Sequence, residues 1–166
     1  MTLRVILMGV AGCGKTSVGQ ALAARLGVAY CDGDDLHTAA NIEKMRLGVP
    51  LTDTDRWPWL DKVAQALACD APVIVGCSAL KRSYRDRIRQ GAGCRVQFVH
   101  LAGSRAVITA RMSARTGHYM PTTLIDSQFA ALEIPGNDEG AITVDIARPL
   151  TDLVNDIAGL LEEASP

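Results

Sequence analysis

The chain begins with the stretch that decides its fold, LRVILMGVAGCGKT at residues 3–16. Residues 3–8 are mostly apolar without clean alternation, as expected of a strand in a parallel sheet that is covered on both faces. Residues 9–16 match the pattern G-x-x-x-x-G-K-[ST] between that strand and a helical pattern. The glycines let backbone N–H groups converge on phosphate oxygens at a helix start. We therefore predict a nucleoside triphosphate site rather than a glycine turn that only caps a helix.

Each position of this loop has an expected role. Lys15 is placed to reach the β- and γ-phosphates, and the Thr16 hydroxyl to bind Mg²⁺. The predicted nucleotide contacts in the loop are Gly9, Ala11, Gly12, Cys13, Gly14, Lys15, Thr16 and Ser17. A nucleoside triphosphate and Mg²⁺ are therefore the expected cofactors.

Beyond the loop, apolar runs typical of strands alternate with helical patterns. Predicted strands cover 3–8, 28–31, 72–77, 95–101 and 141–146, and predicted helices 15–26, 41–47, 59–69, 83–90, 105–114, 125–132 and 150–164. This alternation predicts an α/β fold with a five-stranded parallel sheet flanked by helices.

Length and charge bound the class of protein. The 166 residues fit one domain over 1–166, with 48% hydrophobic and 21% charged residues. With a net charge of −1, the chain lacks the broad positive potential that binding to nucleic acids needs. No apolar run approaches the roughly 20 residues of a membrane span. Five cysteines without a C-x-x-C pair favour reduced thiols in the cytoplasm.

Carboxylates follow the second predicted strand, at the sheet edge where α/β proteins bind ligands. Asp34 is the candidate catalytic base, which would orient an attacking hydroxyl and accept its proton. Asp32 is the candidate to hold Mg²⁺ through water, together with Thr16. For Asp35 a helix-capping role is the alternative. Switch-type GTPases are disfavoured, because the chain lacks N-K-x-D and its one D-x-x-G match lies in the last predicted helix.

An ordered series of motifs runs from about residue 5 to 155. It comprises residues 7–16, Asp32-Gly-Asp34, Leu36-His37, Asn41-Ile-Glu-Lys-Met45, Pro50-Leu51, Asp55-Arg56, Pro58-Trp59-Leu60, Cys77-Ser-Ala-Leu-Lys81, Tyr84-Arg85-Asp86, Gly117-His118-Tyr119, Gln128-Phe129 and Val144-Asp145-Ile146. In this order the motifs resemble those of the gluconokinase family. Cys13 and Thr16 replace the family's common serines, and Thr38 stands where proline is usual.

The resemblance implies transfer of the ATP γ-phosphate to the 6-hydroxyl of D-gluconate. It also implies the architecture of shikimate- and adenylate-kinase-like P-loop kinases, with a substrate-binding segment at about 35–70 and a mobile lid at about 111–125. Homodimers are usual in the family. D-gluconate and ATP are therefore the expected small-molecule partners.

Several cations and polar residues are assigned to the acceptor by this resemblance. Arg56 is expected on the gluconate carboxylate, with a surface salt bridge to Asp53 or Asp55 as the alternative. Lys81 follows the third predicted strand at the ligand-binding edge and is expected on gluconate or the transferred phosphate, with a solvated lysine as the alternative. The further expected contacts are Asp34 itself, His37, Lys44, Arg85 and His118. For His37 the alternative is a loop-ordering hydrogen bond, and for Arg85 it is an arginine that only solubilises its helix.

The lid residues complete the expected site. By resemblance to nucleoside-monophosphate kinases, Arg111 stacks on adenine and Arg115 reaches the phosphates as a catalytic group. Pro149, in the loop after the last predicted strand, is expected to cover the other face of adenine. Two other readings stay open: a kinase of this fold with shikimate or a nucleoside monophosphate as acceptor, and a non-catalytic ATP-binding module.

Overall fold

The strands of the computed structural model form one parallel sheet within the described residues, 2–114 and 122–164. They are β1 (Arg4–Met8), β2 (Ala29–Asp32), β3 (Val73–Gly76), β4 (Gln97–Ala102) and β5 (Ile142–Asp145). The sheet order is β2-β3-β1-β4-β5, and every pairing is parallel. The predicted α/β fold with a five-stranded parallel sheet is confirmed.

Helices cover both faces of this sheet. They are α1 (Lys15–Leu26), α2 (Ala39–Arg46), α3 (Asp53–Leu67), α4 (Arg82–Ala92), α5 (Arg105–Ala114), α6 (Thr122–Ala131) and α7 (Leu150–Glu163). On one face α1, α5 and α7 pack on the sheet through residues such as Leu22, Ile108 and Ile157. On the other face α3 and α4 do so through residues such as Leu60 and Ile88. Apolar burial on both faces explains why β1 is apolar without alternation.

The third helix starts earlier than the sequence indicated. We predicted 59–69 because proline is typical of a first helical turn, but α3 begins at Asp53 and contains Pro58. A capping box fixes the true start: the Thr52 side chain accepts from the Asp55 N–H at 3.2 Å, and the Asp55 carboxylate accepts from the Thr52 N–H at 2.9 Å. An interior proline typically costs about 3 kcal/mol. The cap and burial of the apolar face offset this cost, the buried residues being Trp59, Leu60, Val63, Ala64 and Leu67.

The second helix also begins earlier, at Ala39 rather than Asn41. Thr38 is its N-cap, and its hydroxyl accepts from the Asn41 N–H at 3.2 Å. Thr38, which stands where the family usually has proline, therefore has a local structural role as a helix cap.

Three chain segments meet at the carboxyl edge of the sheet. The glycine loop follows β1, the acidic segment follows β2, and residues 77–81 follow β3; these strands are neighbours. A hydrogen bond joins two of the segments, from the Gly9 N–H to the Ser78 carbonyl at 3.2 Å. Ligands of open parallel sheets bind at this edge, so the fold brings the predicted phosphate and acceptor residues to one place.

Among the helices of the described chain, none has the length and apolar character needed to cross a membrane. Cys13, Cys31, Cys69, Cys77 and Cys94 are free thiols.

Candidate active site

The loop between β1 and α1 is a cradle of backbone amides. Gly12 and Gly14 hold φ angles of 83° and 98°, which glycine adopts without the steric cost of a Cβ. Gly14 caps α1 without a side-chain hydrogen bond, so no side chain occupies the N–H groups of the first turn. Free amides at a helix N-terminus form an anion site. The geometry of the loop fits the phosphates of a nucleotide.

Lys15 lies over this cradle. Its ammonium donates to the carbonyls of Gly9 at 3.0 Å and Val10 at 3.2 Å. These two carbonyls hold the positive charge at the mouth of the loop, where a phosphate oxygen would meet it.

The predicted Mg²⁺ ligands lie together beside the loop. The Thr16 hydroxyl is 3.5 Å from Oδ2 of Asp32, and both are the hard oxygen ligands that Mg²⁺ prefers. In the described part of the chain no three or more His, Cys, Asp or Glu side chains form a cluster able to hold a metal. Mg²⁺ keeps several waters and binds with substrate phosphates. Thr16 and Asp32 therefore fit an ion that arrives with the nucleotide.

Asp34 stands on a 3₁₀ turn, Gly33–Leu36, directly after β2. Oδ1 of Asp32 accepts from the Asp34 N–H at 3.0 Å and caps this turn. The Asp34 carboxylate reaches solvent at the open edge, but the surrounding protein and the charge of Asp32 raise its pKa, while Lys15 opposes the rise. A carboxylate with a raised pKa is a better proton acceptor than an ordinary aspartate.

Two predicted acceptor cations meet around Tyr84. The guanidinium of Arg56 and the ammonium of Lys81 each lie 5.6 Å from the centre of the Tyr84 ring. Arg56 donates to the Leu51 carbonyl at 2.6 Å and has no carboxylate within ion-pair distance among the described residues. Its proposed surface salt bridges are therefore not formed, and Arg56 keeps donors for a ligand. Lys81 is the N-cap of α4.

Asp53 is a member of this cluster that the sequence analysis did not identify. Its carboxylate accepts from the Tyr84 hydroxyl and from Lys81 at 3.3 Å. These bonds, that of Tyr84 first, lower the pKa of Asp53, and it stays ionised at neutral pH. The sequence feature that could have identified Asp53 is its position one residue after the cap Thr52 and three residues before Arg56. This spacing places Asp53 and Arg56 on the first turn of α3.

Lys44 belongs to the adjacent part of the substrate segment. Its ammonium lies 2.9 Å from both carboxylate oxygens of Asp55, and this contact is the main reason that the pKa of Asp55 falls to about 2. The pair joins α2 to the first turn of α3 beside Arg56.

His37 is buried and stacks on Trp59, with ring centres 4.2 Å apart and an interplanar angle of 16°. Nδ1 of His37 lies 3.3 Å from the Asn41 amide nitrogen, which also donates to the Asp55 carbonyl at 2.8 Å. The loop-ordering role is therefore filled by Nδ1, which accepts, and the proton sits on Nε2. Burial lowers the pKa of His37, so the ring is neutral at pH 7.

The substrate-binding prediction for Arg85 is wrong. The side chain is fully buried and faces the protein interior. Its guanidinium makes a bidentate pair with Glu139, at 2.7 and 2.8 Å, and donates to two backbone carbonyls. Helical periodicity placed Arg85 on an arginine-rich helix, but it could not show which arginine turns inward.

A cavity of about 370 Å³ adjoins the glycine loop on the side of α5 and α7. Gly12 and Gly14 line it from the loop, and Ser17 and Val18 from the start of α1. The other lining residues, on α5, on α7 and in the turn before α7, are Arg111, Ala114, Arg148, Leu150 and Leu153. Arg111 donates to the Ile146 carbonyl, which holds its guanidinium at the wall. Pro149 is the N-cap of α7 and lies between two lining residues. An apolar wall beside the phosphate cradle, with the arginines Arg111 and Arg148 on it, suits a nucleotide base.

Two predicted site residues, Arg115 and His118, lie outside the described residues, as does the part of the predicted lid at 115–121.

Comparison with known proteins gives a consistent result. A family model described as an AAA domain matches residues 5–135. The chain is 46% identical to the thermosensitive gluconokinase of Escherichia coli over 95% of its own length and 83% of that protein. It is 46% identical to a gluconokinase of Gluconobacter oxydans over 84% of this chain and 80% of that protein. The crystal structure of a gluconokinase from Sinorhizobium meliloti superposes with a TM-score of 0.92 at 45% identity, over 98% and 93% of the two chains.

Proposed function

Because the chain belongs to the gluconokinase family, we propose that it transfers the γ-phosphoryl group of ATP to the 6-hydroxyl of D-gluconate. The products are ADP and 6-phospho-D-gluconate. The observation that supports this best is the acceptor cluster: Arg56, without a carboxylate partner among the described residues, stands beside Lys81 at the edge that carries the glycine loop.

The chemical step follows from the arrangement of charges. The 6-oxygen of gluconate forms the new bond to the γ-phosphorus, and the bond from that phosphorus to the β,γ-bridging oxygen breaks. Asp34 orients the hydroxyl and receives its proton as the transfer completes. Lys15 stabilises the charge that builds on the phosphoryl oxygens, an interaction that is strongest in the transition state. Thr16 and Asp32 are the residues that would hold Mg²⁺, which would neutralise phosphate charge when bound.

Recognition of gluconate rests on its carboxylate and its hydroxyls. The guanidinium of Arg56 matches a carboxylate with two parallel donors. Asp53, already bonded to Lys81 and Tyr84, offers an acceptor to sugar hydroxyls. Glucose lacks the carboxylate, so it cannot use the main cationic contact.

A panel of acceptors tests this proposal. ADP formation is measured by a coupled assay with D-gluconate, glucose, shikimate and AMP, and with no acceptor. We expect rapid turnover with gluconate alone. Equal turnover with shikimate or AMP would assign the site to another small-molecule kinase. ATP binding without turnover of any acceptor would favour a non-catalytic module.

A pair of arginine variants tests the carboxylate contact. Arg56→Met is expected to raise the KM for gluconate at least about tenfold, the loss expected for one charge-assisted contact. The matched control is Arg46→Met, since Arg46 forms an exposed pair with Glu43 on α2. An unchanged KM in Arg56→Met would remove this residue from the acceptor site.

Three finer expectations remain. The glycine loop predicts a requirement for Mg²⁺, the reduced cysteines favour the cytoplasm, and the family resemblance implies a homodimer. Titration of Mg²⁺ in the coupled assay tests the metal requirement. Sedimentation velocity of the full chain tests the oligomeric state.

A further inference from the structure

The most deeply buried charges of the described chain form one pair, between Arg85, which follows Tyr84 on α4, and Glu139. The side chains of Arg85 and Glu139 are 0% and 2% exposed. Their two hydrogen bonds are parallel, Nε to Oε2 at 2.7 Å and Nη2 to Oε1 at 2.8 Å. Arg89 adds a third contact to Oε2 at 3.2 Å. The pKa of Glu139 falls to about 2, chiefly through its bonds to Arg85. The pair is therefore ionised throughout the working pH range.

The remaining arm of Arg85 is directed at the backbone. Nη1 donates to the carbonyl of Ala79 at 3.0 Å and to that of Leu80 at 3.1 Å. Ala79 has a φ of 43°, a left-handed conformation that a residue with a Cβ adopts only when its surroundings hold it there. The guanidinium thus holds two consecutive carbonyls of a strained turn.

This turn connects the two halves of the active site. At one end, the Ser78 carbonyl accepts from the Gly9 N–H of the phosphate loop at 3.2 Å. At the other end comes Lys81, whose ammonium reaches Asp53 at 3.3 Å in the acceptor cluster. In between, the Leu80 carbonyl also accepts from the Glu133 N–H at 2.8 Å. The conformation of residues 78–81 therefore fixes the place of Lys81 relative to the phosphates.

The Arg85–Glu139 pair supplies directed hydrogen-bond donors, which an apolar core could not. Buried ion pairs stabilise a fold little compared with well-packed apolar residues of similar volume. A guanidinium, however, offers donors in a rigid fork, and two of its arms can be fixed by a carboxylate while the third is aimed elsewhere. Lysine carries the same charge but not this fork.

We propose that Arg85, locked by Glu139, is a positioning residue that holds the turn at 78–81 and thereby places Lys81 for acceptor binding. Lys81 is the group that contacts the acceptor, and Arg85 acts only through it. The inference rests on the proposed function for the identity of the acceptor, but the position of Lys81 can be measured without any acceptor.

Two variants separate directed hydrogen bonding from charge. Arg85→Lys keeps a cation beside Glu139 but loses the fork to the carbonyls. Arg85→Met with Glu139→Met removes both buried charges. Arg89 loses its contact with Glu139 but keeps its pair with Asp86 at 3.1 Å, so we expect the double variant to fold. The matched control is Arg87→Met with Asp61→Met, an exposed bidentate pair at 2.7 and 2.9 Å that joins α4 to α3. Thermal unfolding of each variant verifies that it is folded before kinetics are compared.

The kinetic result is a split between the two substrates. For both Arg85 variants we expect the KM for gluconate to rise at least about tenfold while the KM for ATP stays within about twofold. In a Lys81→Met background the same substitutions should have little further effect, because residues that act through one another are not additive. Equal changes in both KM values, or additive effects with Lys81→Met, would refute the positioning role.

A second readout uses no acceptor. Asp53 raises the pKa of Lys81, which slows acylation of its amine. The rate of Lys81 labelling by acetic anhydride, followed by mass spectrometry, is compared with that of exposed Lys62 in the same sample. We expect the Lys81 rate to rise at least about threefold in both Arg85 variants and not in the control. An unchanged rate would overturn the proposal even if the wild type phosphorylated gluconate. A changed rate with an inactive wild type would instead count against the proposed function alone.

Discussion

Replacing Asp34 by Asn removes one negative charge and one proton acceptor while nearly preserving the shape of the side chain. The backbone N–H of residue 34 still donates to Asp32, so the 3₁₀ turn keeps its cap. Burial and Asp32 raise the pKa of Asp34, which makes it an effective proton acceptor. A positioned general base typically contributes about 10²–10⁴ in rate. We expect kcat to fall at least about a hundredfold.

The effect on ATP binding should be small. Asp34 makes no hydrogen bond to the glycine loop among the described contacts, and removing its charge lowers repulsion toward phosphates. The KM for ATP should therefore remain equal or decrease slightly. Steady-state kinetics at saturating gluconate measure both constants, with Asp35→Asn, an exposed neighbour, as the matched control.

The pH dependence gives a second measurement of the same residue. In the wild type, kcat should fall as the pH drops through the pKa of Asp34, because the protonated acid cannot accept the hydroxyl proton. Since that pKa is raised, the fall should occur above the ordinary value of 3.8. Asp34→Asn should lack this limb. If Asp34→Asn retained most of its kcat and the same fall of kcat at acidic pH, the base would lie elsewhere, with Asp32 the next candidate.

Four further predictions concern the rest of the site. Lys15→Ala should abolish turnover with an unchanged melting temperature, since the lysine contacts only loop carbonyls and a thiol; near-normal turnover would remove the loop from the mechanism. Arg111→Ala should raise mainly the KM for ATP in steady-state assays, because its guanidinium lines the cavity beside the loop; an effect on kcat alone would contradict an adenine contact. Asp32→Asn should raise the Mg²⁺ concentration for half-maximal rate, and an unchanged titration would exclude it as part of the ion's surroundings. The pKa of Glu139 is about 2 in the folded protein against an ordinary value of 4.5, so its contribution to stability is present above about pH 4.5 and is lost as the pH falls toward 2. The free energy of unfolding of Glu139→Gln, measured with denaturant, should therefore vary less with pH in that window. An equally steep pH dependence would show that the pair with Arg85 does not cause it.

Local patterns in the sequence were sufficient for the glycine loop and the sheet. The bounds of α1, Lys15–Leu26, were predicted from the loop before it and Gly27 after it, because both ends are set by neighbouring residues. The placement of Asp32 beside Thr16 also followed, since parallel strands end at one edge.

Features that depend on packing were not predictable in the same way. The start of α3 was missed because Pro58 is a strong local signal, whereas the capping box at Thr52 and Asp55 and the buried face of the helix act together. The burial of Arg85 depends on Glu139, a residue 54 positions away, and no periodicity on α4 reveals that partner. Asp53 was missed because the sequence suggested it only as a surface salt-bridge partner of Arg56, whereas its observed partners Tyr84 and Lys81 lie 31 and 28 positions away.

The transfer itself is tested most directly by following the phosphate onto carbon 6. The protein is incubated with ATP, Mg²⁺ and D-gluconate labelled with ¹³C at carbon 6, and ³¹P and ¹³C NMR spectra are recorded as ADP forms. Transfer to the 6-hydroxyl of gluconate predicts a phosphoester signal coupled to the labelled carbon, in an amount equal to the ADP, and no ester when glucose replaces gluconate. ADP formation without that coupled signal, or an equal yield of phosphoester from glucose, would contradict it.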